Sequence, residues 1–168
     1  MKGKHGVAAL AAAVALVLAM LAGAALAGEG MGKAMPAADA KAFWTYITQD
    51  NPYTAWAQIP GREGLHPGNS PHGAFLKVFV NDVALKAMKA GEKTLPQGAI
   101  LVKENYGKDQ KTLMAVTPMY KVKGFDSQAN DWWWAKLGPK GEDLASGKVE
   151  GCIKCHESQT DFRFLAPQ

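Results

Sequence analysis

The sequence predicts an α+β domain, mainly an antiparallel β-sheet with a few flanking helices. Between residues 73 and 137 apolar side chains recur every second residue, the period of a pleated strand and not of a helix. The turn signals Gly107-Lys108-Asp109 and Gly124-Phe125-Asp126 separate consecutive runs at hairpin distances, which makes neighbouring strands antiparallel. Helical patterns appear only in short stretches around this region. At 168 residues the chain suffices for one domain and is too short for two well-packed ones. Hydrophobic residues make up 48% and charged residues 20%, so enough apolar surface can be buried to offset chain entropy, which excludes a disordered chain.

Taken in order, residues 1–27 form three zones: a basic start with Lys2 and Lys4, an apolar run from Gly6 to Ala22, and the small-residue ending Ala25-Leu26-Ala27. This is the pattern of a signal peptide cleaved after Ala27, favoured over a retained membrane anchor by the A-x-A ending and the weakly apolar Gly/Ala content. The mature chain, 28–168, is then exported and periplasmic. Without Lys2 and Lys4 it carries 17 basic residues against 15 acidic ones, a balance that argues against nucleic-acid binding. Residues 28–35 read as a flexible leader and 36–168 as the folded domain. Pro36 and Asp39 open a helix with Phe43, Trp44 and Ile47 on one face, ending near Asp50. Pro52, Pro60, Pro67 and Pro71, with Gly61, Gly64 and Gly68, make 51–72 a long loop with at most one helical turn around residues 53–58. Such loops often cover a site.

A strand follows over residues 75–80, with Phe75, Lys77 and Phe79 on one side and Leu76, Val78 and Val80 on the other. A helix capped by Asn81 or Asp82 closes at Gly91. Residues 98–106 form a second strand, 112–123 a third in which Pro118 marks an edge or bulge, and 131–137 a fourth. Residues 138–141 are a turn, and a short terminal helix spans 147–157.

That helix carries Cys152-Ile153-Lys154-Cys155-His156, which uses both cysteines of the chain. C-x-x-C-H is the attachment pattern of c-type haem: two thiols on neighbouring sides of one helical turn can each add to a vinyl group while the adjacent imidazole reaches the iron. A thioredoxin-like pair would want a βαβ context, and a zinc site would need a second Cys/His pair at metal spacing; a structural disulfide is the remaining rival. Only 12 residues follow His156 and none is Met, His or Lys, unlike small helical cytochromes, whose motif lies near the N-terminus with a methionine ligand far downstream. Four-helix cytochromes c′ place the motif late but need helical periodicity over 73–137.

A β-rich haem protein remains, and here the residues resemble the cytochrome P-460 and cytochrome c′-β family. The resemblance rests on Val78-Phe79-Val80-Asn81, on Leu95 to Glu104 with its Gly98-x-x-x-Val102-Lys103-Glu104 strand, on Met119-Tyr120-Lys121-Val122, on Asn130-Asp131-Trp132-Trp133-Trp134, and on Cys152 to His156 followed by Asp161-Phe162. It implies a β domain, often a homodimer, with one covalent haem c, His156 as proximal metal ligand, and a five-coordinate iron with an apolar distal side. The function it implies is binding of nitric oxide, carbon monoxide or another small N-oxide ligand. Its alternatives are hydroxylamine or NO oxidation with electrons passed to a partner cytochrome, and six-coordinate electron transfer.

Lys103 matches the lysine that the P-460 branch cross-links to haem, and alternation puts it beside Ala99 and Leu101, opposite Ile100, Val102 and Glu104. The distal carboxylate expected from the following strand is missing, with Lys121 near its place, which speaks against turnover of hydroxylamine; Glu104 and Asp126 are the nearest other acids. Phe75 and Phe79 are candidates to cap the distal side. Trp132 and Trp134 share one face and Trp133 the other, as core or dimer surface. His66, His72, Met114 and Met119 are candidate sixth ligands, each with an ordinary loop or packing role as its competitor.

Overall fold

A computed structural model describes residues 34–164. The expected signal peptide, and all of the expected leader except its last two residues, lie outside this range.

Asp39 caps the first helix, α1 (Ala40–Thr45), by accepting from the Ala42 amide at 2.9 Å, and a wider π-turn continues it over Tyr46–Asp50. Phe43 and Ile47 are fully buried on its inner side. The Pro-rich stretch is a loop as expected, with a 3-10 turn at Tyr53–Ala55 and two pairs of residues that join the sheet, β1 (Ala57–Gln58) and β2 (His66–Pro67). These were beyond the reach of periodicity, which needs about four residues to show. Both pair antiparallel with β3 (Phe75–Val80), β1 at its end and β2 at its start.

Asn81 serves two elements. Its Oδ1 accepts from Ala84 at the start of α2 (Asp82–Lys89) and from Ile100 in β4 (Ile100–Tyr106), while its amide donates to the Gly98 carbonyl at 2.8 Å. The meander then runs through β5 (Leu113–Lys121), β6 (Trp132–Leu137) and β7 (Asp143–Gly147), every neighbouring pair antiparallel. The last strand falls between the expected turn at 138–141 and the expected helix from 147, where most residues are exposed and no apolar alternation marks a strand.

Pro118 corrects another expectation. It is neither on an edge nor in a bulge: β5 is interior, and Pro118 is opposite Val102 in unbroken register. The Lys121 amide donates to the Ala99 carbonyl just before β4, so two-residue alternation turns the Pro118 nitrogen toward β6. There the pairing skips from Val116–Leu137 to Met119–Trp134, and the missing N–H is absorbed in that gap.

The sheet separates two cores. On one face Phe79, Ile100, Val102, Val116, Tyr120 and Trp133 pack under α1 and the Tyr53 turn. On the other, Val80, Leu101, Met119, Trp132 and Trp134 pack under α2 and the terminal helix α3 (Glu150–His156). The predicted split of the three tryptophans holds, but all three are buried within the chain, so none supplies a dimer surface. Among the described residues no helix is long and apolar enough to cross a membrane.

Candidate functional site

The helix α3 lies on the sheet face that carries Leu101 and Trp134, with Val149, Cys152 and Ile153 packed against that core. Cys152 is half-buried, Cys155 is exposed, and both are free thiols. His156 is buried beside the Trp134 and Phe164 rings, with ring centres 5.0 and 4.8 Å away. Its Nδ1 donates to the Phe162 carbonyl at 2.8 Å, so Nε2 keeps a lone pair for a metal. Burial pushes its protonation below the usual histidine range, which favours that neutral form.

The Phe162 carbonyl is held in place by a buried charge cluster. Asp161, in left-handed backbone at φ 52°, lies in the Thr160–Phe162 turn and pairs with Lys121 and with Arg163. The Leu95 amide donates to its carboxylate at 2.7 Å, and Trp132 Nε1 to its carbonyl at 3.0 Å. Lys121 therefore does not face an open ligand site; it ties β5 to the turn that orients His156, with its ammonium over the Trp132 ring. Sequence reading noted Asp161-Phe162 only as part of a resemblance, since nothing local joins residues 40 positions apart.

Lys103 lies on the same face as α3, opposite Glu104, as alternation requires. Its Nζ is 3.4 Å from His72 Nε2, and burial pulls its ammonium down to about 8. His72 comes from the Pro-rich loop. Gly73 allows this: a Cβ there would meet the Tyr106 backbone at 2.5 Å, so only glycine lets the loop lie on β4. Burial, then the Lys103 charge, lower the His72 imidazole to about 4. Its Nδ1 is 3.0 Å from Asn105 Oδ1, and its ring centre is 6.3 Å from that of His156. An open cleft of about 410 Å³ borders this group, lined by His72, Asn105, Ala115, Thr117, Lys136 and Leu144 among others.

Phe75 and Phe79 require a correction. Phe79 packs edge-on against Tyr53 at 5.3 Å in the opposite core, and Phe75 shares its side of β3, so the sheet stands between both rings and Cys152, Cys155 and His156. Leu76 and Val78 occupy the motif side of that strand. Glu104 also faces away, accepting from Tyr53 and Tyr106 hydroxyls at 2.9 and 2.8 Å; burial and this carboxylate push the Tyr106 hydroxyl up to about 12. Asp126 pairs with Lys148 at 3.5 Å. Met114 is exposed and Met119 is packed into the core beside the motif helix. His66 lies in β2 with Nδ1 3.4 Å from the Gly64 carbonyl.

Two thiols, one imidazole with a free Nε2, and an adjoining cleft make a donor set that suits a macrocycle bringing its own metal nitrogens. Among the described residues no three His, Cys, Asp or Glu side chains converge to hold a bare ion. The buried Trp134 Nε1, which has no partner among the described residues and lies beside His156, also fits a face covered by a further group. The family model described as Cytochrome P460 matches residues 51–165, from the Pro-rich loop through every strand and the motif helix. A search of curated proteins finds no match.

Proposed function

Because the chain belongs to the cytochrome P460 family and is thereby a c-type haem protein, we propose that it is exported, carries one covalent haem c on Cys152 and Cys155 with His156 as metal ligand, and binds a small N-oxide or diatomic molecule at the iron. The haem supplies an iron that takes such ligands; the chain supplies the rest. The α3 turn spaces the two thiols, the Phe162 carbonyl fixes the His156 tautomer, and the turn built on Asp161 keeps that carbonyl in place. The observation that carries the reading is the cleft of about 410 Å³ on the motif side of the sheet, whose wall includes His72, the imidazole 6.3 Å from that of His156. Periplasmic export rests on the residue 1–27 pattern. A homodimer rests on the resemblance, with exposed Leu144 and Met114 beside the cleft as its apolar surface.

Ferrous protein is expected to bind NO at one equivalent per haem, read from its optical spectrum. Hydroxylamine with an artificial electron acceptor should turn over below about 1 per second, a slow rate for an enzyme. Removing electrons from hydroxylamine requires a proton acceptor within reach of its nitrogen. Glu104 faces the other core, Asp126 is paired with Lys148, and the His72 Nε2 lone pair is engaged by Lys103. Failure to bind NO would overturn the binding reading, and faster hydroxylamine turnover would place the oxidoreductase above the binder.

The oxidoreductase reading draws support from one observation, Lys103 on the motif side among groups that would border a haem. A tryptic map of the holoprotein checks it. A Lys103 peptide that runs free of haem, with an unchanged spectrum in Lys103→Ala, assigns the lysine to the pocket wall. A haem-linked peptide promotes the enzyme reading over the binding one.

A further inference from the structure

We propose that His72 is a displaceable sixth ligand: it holds the iron in the resting ferric protein through Nε2, and a small ligand must dislodge it. The inference rests on the haem reading above and adds how access to the iron is controlled.

The argument starts from Asn105. Its amide nitrogen faces three acceptors, the Lys103 and Ala115 carbonyls and Thr117 Oγ1, at 3.0 to 3.1 Å. That fixes the amide, so its oxygen is the atom facing His72 Nδ1 and the Gly73 amide. An oxygen there requires a proton on His72 Nδ1, which leaves Nε2 with a lone pair. His156 is arranged in the same way, its Nδ1 committed to the Phe162 carbonyl. An imidazole pinned through one nitrogen to an oxygen acceptor is the usual form of a metal-ligating histidine.

The separation agrees. Two imidazoles bound on opposite sides of one metal, with metal–nitrogen distances of about 2.0 Å, have ring centres about 6 Å apart. His72 and His156 are at 6.3 Å with their planes at 78°. His66 has a weaker anchor, its Nδ1 3.4 Å from the Gly64 carbonyl, and makes no ring pair with His156 among the described residues. Lys103 supplies the release. Its Nζ is 3.4 Å from the same Nε2 and competes with iron for one lone pair. When an external ligand takes the iron, the imidazole has a partner to return to, so displacement does not strand a half-buried polar nitrogen.

The resulting iron is six-coordinate at rest, in place of the five-coordinate centre expected from the sequence. Ferric holoprotein should show a low-spin optical and EPR spectrum. His72→Ala should become high-spin, and added imidazole should restore the low-spin form. His72→Gln, which can keep the Asn105 contact through its amide, repeats the test with less disturbance to the loop. His66→Ala should leave the spectrum unchanged. NO association with the ferric protein should be about tenfold faster or more in His72→Ala, because the competent state no longer has to be freed first. A high-spin wild type, or a low-spin spectrum surviving in both His72 variants, overturns the proposal. Ferrous NO binding, measured on the same samples, separates the two readings: binding with no His72 effect leaves the proposed function intact and sinks this inference. A low-spin switch on His72 without NO binding in any variant does the reverse.

Discussion

Replacing Cys152 and Cys155 together with serine will yield a protein from which acidic organic solvent extracts all of the haem, whereas wild type will retain its haem through the same treatment. Two thioether bonds are the only covalent links the motif can make, and the chain contains no other cysteine to substitute for them. His156→Ala should behave differently. The haem stays attached, but the low-spin spectrum of an iron held by two histidines is lost, because the Nε2 lone pair positioned by the Phe162 carbonyl is gone and His72 alone remains. The double-serine variant should also lose stability, because a haem held without thioether bonds stabilises the fold only while it stays bound. Extraction of haem from denatured wild type would refute covalent attachment, and with it the proposed function.

Asp161→Ala is expected to be the most destabilising single substitution in the turn after the motif, by about 3–5 kcal/mol in urea unfolding of the holoprotein. The carboxylate is fully buried, and removing it leaves the buried Lys121 ammonium without its counter-ion and the Leu95 amide without an acceptor. Adding Lys121→Met should recover part of the loss, because the uncompensated charge, more than the lost attraction, dominates the cost. The haem spectrum is the second readout. If Asp161 positions the Phe162 carbonyl, the variant will shift the iron spectrum as well as the unfolding midpoint, and Lys121→Met alone will shift it less because Arg163 and Leu95 still hold the turn. A cost below about 1 kcal/mol would mean that the cluster is solvated and does not anchor the turn.

Local chemistry made much of this molecule legible. Strand alternation separated Lys103 from Glu104 and Trp133 from its neighbours, and the Asn81 cap and hairpin turns set the order of the meander. These features are decided by residues within a few positions of one another, where backbone geometry dictates which side chains share a face. The same reading failed where the outcome depends on which layer covers which face. Phe75 and Phe79 were placed on one side correctly and assigned to the wrong core, because alternation says that two residues agree without saying what packs over them. Pro118 in an interior strand is a comparable case: the local rule puts proline on edges, and a gap in the pairing toward β6 satisfies it instead.

The amino-acid sequence by itself determined the haem motif, the mainly antiparallel sheet and the family, since each is written in spacing or period. Tertiary structure alone decided that β5 and the turn after the motif meet through Lys121 and Asp161, and that a loop histidine comes to lie 6.3 Å from the motif histidine. The reason is physical: burying charges is favourable only when partners from distant segments arrive with matched geometry, and a close backbone approach such as Gly73 on β4 exists only once both strands and loop are in place.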